Sequence, residues 1–184
     1  DRELLNSRLK DQVDWLTTLS QVSKSLTSSL DIDTVLKRIV EAGVRLTKAQ
    51  EGFLALVDTD SGQLHLRAAK NIDENIIKTV RIPVTDALTG SVLQTRRPLR
   101  KMLDNPTQPV KVSTGFLVYS LLHVPIISKD EPIGVLSVDN RTSHQGFSTN
   151  DEAILTSLAD YAAVALENAG LYDQAQKELS ERRR

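Results

Sequence analysis

The sequence predicts an α+β domain built on one antiparallel sheet, and two observations carry that prediction. Paired apolar segments joined by tight turns are grouped in the middle of the chain, and long segments with apolar residues at spacings of three and four lie at both ends. Residues 2–29 place Leu5, Leu9, Val13, Leu16, Leu19, Val22 and Leu26 on one stripe of a long helix among charged neighbours. A second helix begins in "SLDIDTVLKRIVEAGVRLTKA", with Asp31 as N-cap, Leu30 and Val35 as a hydrophobic staple, and Val35, Leu36, Ile39, Val40, Gly43 and Leu46 as its buried face. "GFLALV" and "QLHLRAA" flank "DTDSG", a turn in which Gly62 supplies a positive φ, and together they predict a β-hairpin.

"TVRIPV" predicts a short third strand, and "TDALTGSVLQTR" a short helix capped by Thr85 or Asp86. Residues 104–119 form a long segment with two prolines and weak periodicity, the kind of loop that is usually functional or mobile. "SLLHVPIIS" and "PIGVLSVDN" straddle "KDE" as a second, more hydrophobic hairpin. From Ser148 onward one helix runs to the end, with Leu155, Leu158, Ala162, Ala165, Ala169, Tyr172, Gln176 and Leu179 at heptad steps. Its first half is expected to pack on the sheet. Beyond Asn168 the apolar stripe is thin, and a coiled coil with a second copy is expected there.

Composition bounds the function classes. With 184 residues and 40% hydrophobic content the chain can bury a real core. Lys+Arg of 23 against Asp+Glu of 24 gives no basic excess of the kind nucleic-acid binding needs, so no nucleic-acid partner is expected. The absence of Cys excludes disulfides, thiolate metal sites and a Cys nucleophile, and fits a reducing, cytoplasmic location. No apolar run approaches the ~20 residues of a membrane span, so no membrane contact is expected. His65, His123 and His144 share no metal-ligand spacing, and no GxSxG, P-loop or Ser-His-Asp arrangement stands out, so neither a metal, a cofactor nor an enzyme is expected. The chain starts at Asp1 and stops in "ERRR", which suggests a piece of a longer polypeptide.

From Leu19 to Tyr172 the sequence resembles a GAF domain, most specifically in "PIGVLSVDN" followed by "F…DE…LADYAAVALENA". The resemblance implies a central antiparallel sheet, long terminal helices on one face, and a ligand pocket under short helices and loops on the other. It also gives a meaning to "NRTSHQGFSTNDE". Cyclic-nucleotide-binding members carry an Asn-Lys pair, then Phe, three residues, and Asp-Glu; Asn140, Arg141, Phe147, Asp151 and Glu152 match, with Arg in place of Lys. In the family the basic residue and the Asp form a salt bridge beside the pocket, so Arg141 is expected to pair with Asp151. Helix chemistry alone accounts for part of the same stretch: Ser148 is a good N-cap, and acids favour a first turn.

By comparison with such members, Thr85, Asp86, Ala87 and Thr89 are candidates for a phosphate at the short helix's start, where backbone N–H groups are free and Gly90 allows close approach. Asp86 weighs against that, since an acid there already satisfies the donors. Thr114, Phe116 and Tyr119 lie in the expected lid, and His123 faces either the pocket or the core. The resemblance implies a sensing module, expected as a homodimer through Leu9, Val13, Leu16, Ala165, Ala169 and Tyr172, with residues 1–30 as a signalling helix, 31–170 as the sensor and 171–184 as a coiled-coil exit. Its ligand would be a small molecule such as a cyclic nucleotide, and its output a kinase or cyclase domain in the same chain. The alternative is a relay module whose pocket is filled by its own side chains, such as Phe116 and Leu117. Haem-sensing members use a His ligand, which leaves His123 open for that role.

Overall fold

The computed structural model describes residues 2–8, 10, 11, 31–102, 110, 111 and 117–182. Residues 2–8, 10 and 11 are helical, while Leu9, Val13, Leu16 and the proposed staple residue Leu30 lie outside the described residues. Helix α1 spans Ile32–Thr47 and is capped as expected: Asp31 has extended backbone and accepts from the Thr34 N–H. It ends on Lys48 in the left-handed region at φ 57, whose N–H closes the last turn. Its buried face includes Val35, Leu36, Ile39, Val40 and Gly43; Leu46 is only half-buried.

The first hairpin is β1 (Glu51–Asp58) and β2 (Gln63–Lys70), turning on Gly62 at φ 67. Helix α2 (Glu74–Thr79) follows, then β3 (Arg81–Pro83), α3 (Thr89–Thr95), β4 (Leu99–Met102) and a two-residue pair, β5 (Val110–Lys111) with β6 (Leu117–Val118). The second hairpin, β7 (Ser120–Ser128) and β8 (Glu131–Asn140), turns through Lys129 and Asp130, both with positive φ, as a tight hairpin requires. Helix α4 runs without interruption over Thr149–Arg182. The main sheet has the order β3-β2-β1-β8-β7-β4, with every neighbouring pair antiparallel.

Four short elements were not legible as periodic patterns, and β5 and β6 are only two residues each. α2 is six residues long, too short for an amphipathic repeat, although Asp73 caps it by accepting from the Asn75 N–H. β4, "LRKM", is an edge strand with three exposed residues, so it carries no apolar alternation and is held by pairing with β7. The short helix also starts later than the sequence suggested, at Thr89.

Strand alternation divides the sheet into two faces. Leu54, Leu122, Val124, Ile126, Leu136 and Val138 lie under α1 and the first half of α4, where Leu155, Leu158, Ala159 and Ala162 complete the main core. Small residues let the two helices approach closely; a Cβ on Gly43 would sit 2.9 Å from Leu155 Cδ1. On the opposite face Phe53, Ala55, Leu64, Leu66, Ile82 and Val135 form a second cluster with Leu93 of α3. Among the described residues no helix is long and apolar enough to cross a membrane.

Candidate functional site

The second face carries a row of polar side chains across its middle. Cross-strand register sets Glu51 opposite Asp139, Phe53 opposite Ser137, and Ser137 opposite His123. Glu51, Asp139 and His123 are 3%, 2% and 2% exposed, a depth at which an ionisable group needs partners. Those partners are incomplete. His123 Nδ1 and the Ser137 hydroxyl share a hydrogen bond, yet His123 Nε2 has none, and Asp139 Oδ1 has none either. The Phe53 ring lies 6.3 Å from the His123 ring.

The electrostatics follow from burial. Desolvation pushes the His123 pKa down to about 4, against a smaller upward pull from Asp86, so the ring is neutral at pH 7. Burial is also the largest cause raising Asp139, followed by its hydrogen bond to Glu51 and the repulsion between the two carboxyls; Arg141 opposes them without prevailing. The pair therefore holds a proton at neutral pH. Arg141 Nε reaches both oxygens of Glu51, at 2.8 and 2.7 Å.

That geometry corrects one expectation: the partner of Arg141 is Glu51, not Asp151. Asp151 instead closes a capping box with Ser148, accepting from the Ser148 N–H at 2.8 Å while its own N–H donates to the Ser148 hydroxyl at 3.1 Å. Glu152 pairs with Arg100 of β4 at 3.4 Å, and Arg100 also donates to the Phe147 carbonyl. Asn140 is a buried node: its side chain accepts from the Gln50 N–H and donates to the Ser120 hydroxyl and the Gln145 carbonyl. The Tyr119 and His144 rings are in tilted contact, with centroids 4.2 Å apart and planes at 44°. The stretch from Asn140 to Glu152 thus staples the loop after β8 to the ends of β1, β4 and β7.

The expected anion cradle at the short helix is corrected as well. Asp86 accepts from the Leu88 and Thr89 N–H groups at 3.1 and 2.9 Å, so those donors are already satisfied. Thr85 and Ala87 are exposed, whereas Thr89 is buried. Gly90 serves the turn rather than a ligand, because a Cβ there would stand 2.2 Å from the Val84 carbonyl oxygen. Thr114 and Phe116 lie outside the described residues.

The family model for the GAF domain matches residues 29–167. This chain belongs to the GAF family. Among curated relatives it is 28% identical over 175 residues to the Nif-specific regulatory protein of Herbaspirillum seropedicae, covering 86% of this chain and 32% of that protein. It is 25% identical over 176 residues to the probable 3',5'-cyclic phosphodiesterase pde-5 of Caenorhabditis elegans, covering 86% of this chain and 24% of that protein. The chain thus spans a third or less of the length of these relatives. The GAF domain of a phosphoenolpyruvate-protein phosphotransferase from Coxiella burnetii has the same fold, with a TM-score of 0.75 at 20% identity over 88% of this chain and 98% of that one.

Within this GAF domain the residues named for dimerisation separate. Ala165 is 4% exposed and packed into the main core, so it is withdrawn from any interface between copies, while Val164 beside it is 49% exposed. Ala169 is half-buried, and Tyr172 lies within α4. Leu4, Leu5, Leu171 and Leu179 are exposed apolar side chains. Glu51, Phe53, Ser137 and Asp139 were missed as site residues. The legible signal was the period-two polar pair Ser137 and Asp139 following the apolar residues Val135 and Leu136 of β8.

Proposed function

We propose that this GAF domain is a regulatory module of a longer signalling protein, sensing a small molecule on the face lined by Phe53, His123, Ser137 and Asp139. The observation that carries the reading is the pair of unpartnered polar atoms, His123 Nε2 and Asp139 Oδ1, buried in that face. Native interiors rarely leave such atoms unpaired, and a ligand's hydrogen-bonding edge supplies what they lack. The names of the relatives, a nif-specific regulator and a cyclic phosphodiesterase, agree with a regulatory role.

Residues 31–170 act as the sensor, and the segments 1–30 and 171–184 connect it to neighbouring parts of the chain. A homodimer forms along the exposed stripe of Val164, Leu171 and Leu179 on α4, with the N-terminal helix beside it, and carries the ligand state to a kinase or cyclase output in the reducing cytoplasm. For this to be sensing, ligand must favour one arrangement of those helices by its differential affinity. Cyclic nucleotide enters as a ligand class through the phosphodiesterase relative and the Asn140–Glu152 pattern. Asp86 at α3 gives it no support, so its phosphate would need other donors.

A second reading, a ligand-free dimerising relay, is favoured by how closely this face is already packed: Phe53, Ser137 and Val135 are all buried. A thermal-shift screen of cyclic and linear nucleotides, amino acids and haem separates the two. Ligand at ~100-fold over its Kd adds about 2.7 kcal/mol to the folded state. A specific shift supports sensing; no shift across the panel transfers the case to the relay.

A further inference from the structure

The charges of the polar face do not balance among its own side chains. Glu51 and Asp139 are cross-strand partners, both buried, and Arg141 is bonded to Glu51. A second carboxyl in so dry a place must be neutralised, by a proton or by a cation. In the unliganded domain it is a proton, retained by burial and by the bond to Glu51. The proton leaves Asp139 Oδ1 an acceptor without a donor, and His123 Nε2 stands unpartnered on the neighbouring strand.

Other charges near this face do not favour an anion. Asp86, before α3, is the charged group felt by His123, and the α3 N–H groups close on its carboxylate. Among the described residues the buried ionisable side chains are Glu51, Asp139 and His123, with no Lys or Arg. A metal ion is disfavoured too, since no three His, Cys, Asp or Glu side chains among the described residues are placed to hold one.

We propose that this face binds a small organic cation bearing a primary ammonium group, which donates to Asp139 Oδ1 and takes the place of the Asp139 proton, with His123 Nε2 as the second hydrogen-bonding atom. The inference rests on the sensing reading and names its ligand class. The balance is one for one: the Asp139 carboxyl releases its proton to solvent, the ammonium keeps its own three, and the net charge of the site is unchanged. Glu51, Arg141, Asp86 and His123 keep their protonation states.

The test is titration calorimetry of the whole chain at pH 7 in two buffers of different ionisation enthalpy. The probes are ethanolamine, phenethylamine, agmatine and lysine, with phenethyl alcohol and ethylene glycol as uncharged counterparts and cyclic AMP and inorganic phosphate as anions. An amine is expected to bind where its alcohol does not, releasing about one proton per ligand. Asp139→Asn, which still can donate to Glu51, should weaken that amine by about tenfold or more and abolish the proton release. If that variant does not fold, proton release by the natural chain decides alone. Amine binding without proton release, or unchanged by Asp139→Asn, overturns the proposal. Cyclic AMP binding with the amines silent overturns it and leaves the sensing reading standing, whereas silence from every probe counts against both.

Discussion

The two faces of the central sheet are made by the same strands and differ in what they bury. Under α1 and α4 the strands present Leu54, Leu122, Val124, Leu136 and Val138, an apolar layer. One residue along in each strand, the other face presents Glu51, Phe53, His123, Ser137 and Asp139. The first arrangement minimises free energy by burying apolar area. The second keeps ionisable groups out of water with two hydrogen-bonding atoms unmatched, an arrangement that stability alone does not favour. One face holds the domain together; the other buries ionisable groups whose hydrogen-bond partners are incomplete.

Breaking the apolar face should have the largest effect. Leu158→Ala leaves a cavity between α4 and the sheet and should cost about 2–5 kcal/mol, read from urea midpoints at constant slope. A loss below about 1 kcal/mol would mean that α4 is not part of the core. On the polar face, Arg141→Ala leaves the Glu51 carboxyl without its guanidinium and should cost about 2 kcal/mol. Asp151→Ala removes only a helix cap and should cost about 1 kcal/mol. If the two costs came out in the opposite order, the assignment of Arg141 to Glu51 would be wrong.

The pH dependence sharpens the contrast, because among the described residues the buried ionisable groups, Glu51, His123 and Asp139, all lie on the polar face. The Asp139 pKa is raised in the folded state, so its stabilising contribution is complete below the ordinary carboxylate pKa and is lost as pH rises towards about 9. The His123 pKa is lowered, so its contribution is present above 6.5 and is lost as pH falls towards about 4. Between pH 6.5 and 9, then, the Asp139 slope is unopposed by His123, and the natural chain should lose stability as the solution becomes more basic. Asp139→Asn should flatten that decline. His123→Gln should leave it intact and extend it below pH 6.5, where the opposite slope of His123 otherwise offsets it. Parallel profiles for Asp139→Asn and the natural chain would show that Asp139 does not carry a buried proton.

The smallest effect on stability belongs to the exposed stripe of α4. Val164→Glu and Leu171→Glu should change folding free energy by no more than about 0.5 kcal/mol, as surface substitutions do. They should nonetheless shift sedimentation towards the monomer if this stripe joins two copies. An unchanged assembly would move the interface elsewhere. Ala165→Glu is the control on the buried side and should disrupt folding.

Much of the frame was legible in the residues themselves. The two hairpins follow from short apolar runs separated by turn residues, and α1 and α4 follow from their caps and from apolar spacing, because those signals are local. α2 and β4 escaped since one is a single capped turn or so and the other is an exposed edge with no pattern of its own. The candidate site was legible only in fragments. His123 and Asn140 stood out, and Ser137 and Asp139 could have been singled out by their alternation, but nothing local marked Glu51 as their neighbour.

Sequence by itself determined the family, the order of the principal elements and the capped start of the last helix, because each depends on residues a few positions apart. Tertiary structure alone decided that Arg141 bonds Glu51, 90 residues away, that Asp86 closes the start of α3, and that Ala165 faces inward while Val164 faces out. The reason lies in register: a one-residue shift between β1 and β8 would move Glu51 to the apolar face and leave Asp139 without its partner. Burial then decides the charge of each group, and burial belongs to the packed sheet rather than to any stretch of the chain.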